Sequence, residues 1–181
     1  MSSMRRNNFF HLMRSHKLFP LLRFLLVFNL FSVFLHLYAS LNLPLEPLEI
    51  LTAKLVATCL SMLGLSVDVN RNVVSLNSPT FAAIIGRDCL GIKLTIAFLA
   101  LCWASPVSLK KKIMSFSFIP LIYAGNLLRI ILVFSAVAKY GVEVFPIVHD
   151  LFFSLFSIVL LIVLWLGWFS LISDKRKGVV N

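Results

Sequence analysis

KKKIMSFSFIPLIYAGNLLRIILVFSAVAK, residues Lys110 to Lys139, is the stretch that decides the fold. Three lysines open it, and from Ile113 to Ala138 the chain runs 26 residues with Arg129 as its one charged side chain. About 20 predominantly apolar residues cross the hydrocarbon core of a bilayer, so this run reads as a transmembrane helix. Pro120, Gly125, Asn126 and Arg129 interrupt it. Lys and Arg collect on the inner side of membrane helices, so the triple lysine is a cytoplasmic mark. At about 1.5 Å per residue, Arg129 then lies roughly 24 Å from the inner end, in the outer third of the bilayer. A charge at that depth is expensive and by default functional.

The rest of the chain has the same character. It is 181 residues long, 60% hydrophobic and 13% charged, with a mean hydropathy of +0.96. A soluble domain of this size carries about 25% charged residues. The sequence therefore predicts an all-α polytopic membrane protein: one membrane domain over 18–172, between basic cytoplasmic tails at 1–17 and 173–181. Four main transmembrane helices are expected, at Leu18–Leu41, Leu90–Ala104, Ile113–Ala138 and Asp150–Ile172. The first is too long for a signal-peptide core and lacks a clean cleavage site, so no cleaved leader is expected. With both termini inside, ten of the 17 Lys and Arg lie in the cytoplasm and four outside (Lys54, Arg71, Arg87, Lys139). That asymmetry accounts for the net charge of +10 as topology and contact with anionic lipid in the plasma membrane, not as nucleic-acid binding.

Between the first two spans the pattern changes. After Pro44 and Pro47, Leu48 to Leu65 carries Leu48, Leu51, Leu55, Cys59 and Met62 at helical spacing, with Glu49, Lys54, Thr52, Thr58 and Ser61 among them. This reads as an amphipathic helix on the outer surface. As a true span it would invert the topology of everything after it. Val67 to Leu76 then alternates around Asn70-Arg71-Asn72 as a short hairpin-like segment. Phe81 to Ile85 leads from it into Gly86-Arg87-Asp88-Cys89-Leu90-Gly91-Ile92-Lys93.

Under this topology Cys89 starts the second span, Arg129 lies in the outer third of the third, and His149 starts the fourth, all on the outer side. Each has a chemical use. A thiolate is the strongest side-chain nucleophile near neutral pH, favoured by positive charge or a helix N-terminus; Cys89 is expected to have both, with Lys93 one turn onward. His149 can take the thiol proton and return it to a leaving amine. The permanently charged Arg129 suits a developing oxyanion. Asp88 tunes the thiol, Asp150 can orient His149 although adjacent helical residues face each other poorly, and Asn126 can hold Arg129 or a substrate carbonyl. Against this stand plainer readings: Arg129 as a structural ion pair, His149 as an interfacial helix start, Arg87, Asp88 and Lys93 as interface markers. Cys59, Cys89 and Cys102 lack metal-ligand spacing, and no metal or cofactor is expected.

Asp88-Cys89-Leu90-Gly91, Asn126-Leu127-Leu128-Arg129-Ile130 and a histidine opening the last span resemble the archaeosortase/exosortase family, in a compact form. The resemblance covers roughly residues 45–172. It implies a membrane cysteine transpeptidase with Cys89 as nucleophile and Arg129 and His149 as its partners. The implied substrates are exported proteins whose C-terminal sorting signal comprises a short motif, a transmembrane helix and a basic tail. A lipid amine is one implied acceptor. Leu90 stands where many members carry Ser, which removes a polar contact. The alternative is a non-enzymatic scaffold or transporter subunit, for which no internal repeat or midplane polar cluster is visible.

Overall fold

The computed structural model describes residues 18–41 and 44–174. The expected basic tails therefore lie outside the described residues, apart from Ser173 and Asp174 in the last helical turn. Helix α1 spans Leu18–Ser40 and α2 Glu46–Met62. Strands β1 (Val67–Asn70), β2 (Val73–Leu76) and β3 (Phe81–Ile84) follow, then a 3-10 turn at Arg87–Leu90 and α3 at Ile92–Ala104. The chain continues through α4 (Leu109–Met114), a 3-10 turn (Ser115–Phe118) and α5 (Ile119–Tyr140). A 3-10 turn (Val142–Val144), α6 (Phe145–Leu151), a π-helical turn (Phe152–Phe156) and α7 (Ser157–Asp174) complete it.

The protein is mostly helical. Among the described residues, two helical stretches are long and apolar enough to cross a membrane: Leu109–Tyr140, 32 residues, and Val142–Ile172, 31 residues. Phe24–Tyr38 and Ile92–Ala104 are shorter apolar helices. Large apolar side chains such as Leu26, Leu128, Ile158 and Val163 stay about half exposed or more on the outer helix faces, as a lipid-facing surface requires. The 3-10 turn ahead of α5 falls where Pro120, which has no N–H to give, occupies the first turn of the helix. Gly125 lets α7 come close, since a Cβ there would stand 2.6 Å from a Leu160 methyl.

Two boundaries differ from expectation. The hairpin is a three-stranded antiparallel sheet in the order β1-β2-β3, so the fold is not purely helical. Arg71, with φ +56°, makes the tight turn between β1 and β2. The helix expected from Asp150 begins at Phe145, because Pro146, second in the helix, fits its first turn, where no N–H is needed, instead of ending a loop. His149 therefore sits in the second turn of a helix.

Two clusters pack the two ends of the bundle. One holds Phe98, Cys102, Ile122, Leu164, Trp168 and Ile172. Here the Lys112 ammonium donates to the Trp103 carbonyl, Lys111 Nζ donates to the Ile172 carbonyl at 2.7 Å, and the Trp168 indole donates to the Lys111 carbonyl at 3.2 Å. The triple lysine thus joins the C-terminal ends of α3 and α7. The other cluster binds α2 (Ala53, Val56, Ala57, Leu60) and the sheet (Val74, Leu76) to Ile130, Phe134 and Val137 of α5. Thr52 and Tyr123 hydroxyls meet at 2.9 Å, so α2 lies along α5 with a buried face.

Candidate active site

Cys89 stands in the 3-10 turn ahead of α3, outside the apolar helix proper. Its N–H donates to the Gly86 carbonyl at 2.9 Å, which closes the turn. Its own carbonyl accepts a 2.5 Å hydrogen bond from the side-chain amide of the buried Asn126. Gly91 then turns the chain into α3 with φ +71°, a conformation that favours glycine. A Cβ on Gly91 would stand 3.1 Å from Asn126 Cγ, so the amide and the turn fit against each other closely. The Asn126 side chain, expected to hold Arg129 or a substrate carbonyl, gives an amide N–H to the backbone of Cys89.

Cys89, Arg129 and His149 line one cavity of about 60 Å³, together with Ile85, Phe134 and Phe145. Three elements far apart in sequence converge there: the 3-10 turn, the middle of α5 and the second turn of α6. The Arg129 residue is 6% exposed, within the second packed cluster's half of α5. The His149 side chain is 44% exposed, and its Nδ1 lies 3.3 Å from Asp150 Oδ1. Where Nδ1 carries the proton and donates to Asp150, Nε2 is the unprotonated ring nitrogen, which is the tautomer a general base needs. The adjacent residues do face each other, against expectation, but the contact is exposed on the Asp150 side.

The electrostatics correct one expectation. Burial is the largest influence on the Cys89 thiol and pushes its pKa up; the Gly86 hydrogen bond and Arg129 pull it down, and Asp88 and Glu49 push it up further. The Lys93 ammonium pairs with Asp88 at 2.7 Å, both side chains being largely exposed. Burial thus favours the neutral thiol over the thiolate.

Several neighbours of the site carried no sequence signal. The Tyr38 hydroxyl of α1 is buried without a hydrogen-bond partner among the described residues and lies within electrostatic reach of Arg87, Asp88, Lys93 and Glu49. Glu49 accepts from Asn72 Nδ2 at 3.1 Å. A polar hydroxyl and a carboxylate at helical spacing in apolar segments read as interface residues. Among the described residues no three His, Cys, Asp or Glu side chains stand close enough to hold a metal ion.

A family model described as transmembrane exosortase matches residues 10–168, most of the chain. No curated protein and no solved structure matches it.

Proposed function

This chain belongs to the transmembrane exosortase family, and from that premise we propose that it is a membrane cysteine transpeptidase processing C-terminal sorting signals. Family membership suggests the activity. The observation that carries the residue assignment is the single cavity shared by Cys89, Arg129 and His149.

In the proposed reaction the Cys89 sulfur attacks the backbone carbonyl carbon just outside the substrate's transmembrane helix. His149 Nε2 takes the thiol proton, and Arg129 stabilises the oxyanion of the tetrahedral intermediate. Collapse breaks the C–N bond, and the His149 proton passes to the leaving amine. This leaves a thioester and releases the helix with its basic tail. An acceptor amine, a lipid amine being one candidate, attacks the thioester, loses its proton to His149 and regenerates the thiol. Asn126 positions the nucleophile, while Asp88, Lys93 and Asp150 tune charge around it.

The proposed topology has four spans, both termini in the cytoplasm and the cavity at the outer face of the plasma membrane. Its support is the placement of Lys111 beside the C-terminal end of α7 and of Lys112 beside that of α3, with the cavity toward the far half of α5.

The deciding experiment follows processing of a co-expressed exported protein bearing a transmembrane C-terminal signal and basic tail. Wild type is expected to process it, and Cys89→Ala and Cys89→Ser are expected not to. Full processing by Cys89→Ala sinks the nucleophile assignment. A lipid-linked product detected by mass spectrometry separates transfer from hydrolysis. An impermeant thiol label added from outside should reach Cys89 and not Cys102; the reverse pattern overturns the topology.

A further inference from the structure

The sheet has two edges, and they differ. Strand β1, Val67-Asp68-Val69-Asn70, exposes a carboxylate along its outer side. Strand β3, Phe81-Ala82-Ala83-Ile84, has neither a charge nor a proline to discourage pairing. Hydrogen-bonded and non-bonded pairs alternate along an antiparallel ladder. The Ile85 N–H donates to the Asn72 carbonyl at 2.8 Å, so Ala83 opposite Val74 and Phe81 opposite Leu76 are the next bonded pairs. The N–H and C=O groups of Ala82 and Ile84 therefore point away from β2, along the free edge. Among the described residues no backbone hydrogen bond beyond the sheet involves either one. Ile84 is 69% exposed.

This edge runs into the cavity. Ala83, Ile84 and Ile85 line it beside Cys89, Arg129 and His149. We infer that an extended segment of the substrate polypeptide, the stretch just outside its transmembrane helix, pairs with β3 as a fourth strand that delivers its carbonyl to Cys89. The inference rests on the transpeptidase reading. Two residues spaced two apart, each offering a donor and an acceptor, match an extended main chain and no side-chain pattern in particular. A cavity of about 60 Å³ has room for a few waters or one small side chain beside the pairing strand. On the far side stands α6, whose Phe145 ring centroid lies 4.9 Å from that of Phe81. α6 thus packs against the Phe81 end of β3, and a lone extended segment along the free edge needs only one strand spacing, about 4.8 Å, whereas a second copy would have to bring its whole sheet and the helix packed on it.

Cross-linking tests this without cleavage. In a chain carrying Cys59→Ser, Cys89→Ala and Cys102→Ala, the substitution Ile84→Cys supplies the only thiol. An exported reporter with a C-terminal transmembrane helix and basic tail carries one cysteine, walked residue by residue through the segment ahead of that helix. Under oxidation in the membrane, adducts are expected at alternate reporter positions, roughly ten-fold stronger than at those between, because strand side chains alternate faces. Adding Ala82→Pro removes an edge N–H without removing a ladder bond, and should lower those adducts about five-fold. Equal adducts at successive positions, no adduct at any position, or an adduct between two copies of the chain overturns the inference. Failure of the wild-type chain to cleave the same reporter would count against the transpeptidase reading alone.

Discussion

The side-chain amide of Asn126 donates to the backbone carbonyl of Cys89 at 2.5 Å, tying the middle of α5 to the turn that carries the thiol. Asn126→Ala leaves that carbonyl without its partner in a buried setting, at an expected cost of about 1–3 kcal/mol. Asn126→Asp is worse for the turn, since a carboxylate would face a carbonyl oxygen. Both variants should lose processing while a thermal melt in detergent still shows cooperative folding. Processing at wild-type rate by Asn126→Ala would show that the turn holds Cys89 without it.

Gly91 is the other half of that fit. Any side chain there meets a left-handed backbone, at roughly 1–2 kcal/mol, and its Cβ presses on Asn126. Gly91→Ala is therefore expected to depress the melting temperature and processing together, more than Gly86→Ala, where an added Cβ meets nothing within 4 Å. Parallel melts of the two variants check it.

Burial holds the Cys89 thiol above the ordinary thiol pKa of about 8.5. The rate of alkylation of Cys89 by a small neutral reagent should therefore keep rising with pH past the point where a free thiol levels off. Asp88 pushes this pKa up and Arg129 pulls it down, so Asp88→Asn should move the profile to lower pH and Arg129→Gln to higher pH. The linkage has the same sign for stability. The fold prefers the protonated thiol, a contribution present below the unfolded thiol pKa and lost as pH rises through the raised value. Unshifted alkylation profiles in both variants would separate those charges from the thiol.

Much of this site is legible in sequence for a physical reason. In a chain this apolar, Cys89, Arg129 and His149 are conspicuous, and alternating spans carry them to one half of the bundle. What stayed hidden was everything that depends on backbone partners. Phe81-Ala82-Ala83-Ile84 has no polar alternation, so it reads as an extended lead-in and not as the third strand that pairs with β2. Pro146 reads as a breaker but serves as a helix start, which moved His149 inward by a turn. The amide of Asn126 bonds a main-chain carbonyl, a partner with no signature of its own. The pairing of Lys93 with Asp88 joins side chains five residues apart across a turn, a spacing that helical periodicity does not announce.

His149 and Asp150 should separate cleanly by size of effect. Loss of a general base costs typically 10²–10⁴-fold, so His149→Ala is expected to fall in that range. The 3.3 Å contact to Asp150 is exposed on the carboxylate side and screened by water, so Asp150→Asn should cost less than about ten-fold. Single-turnover cleavage of the reporter measures both. An Asp150→Asn defect as large as that of His149→Ala would mean that the tautomer depends wholly on the carboxylate.

The triple lysine makes its own prediction, because a purely topological mark would be indifferent to which lysine is changed. Lys112 is 8% exposed and its ammonium donates to the Trp103 carbonyl at the end of α3, whereas Lys110 is exposed. Hydrogen bonds from charged groups contribute about 1.5–3 kcal/mol. Lys112→Met should therefore destabilise the bundle by about that much, with Lys111→Met, which gives up the 2.7 Å bond to the Ile172 carbonyl, next and Lys110→Met close to neutral. Each variant keeps two of the three lysines, so the positive-inside signal and the orientation of the chain should hold. Melting temperatures in detergent rank the three, and equal melts across the series would reduce the motif to a topology signal.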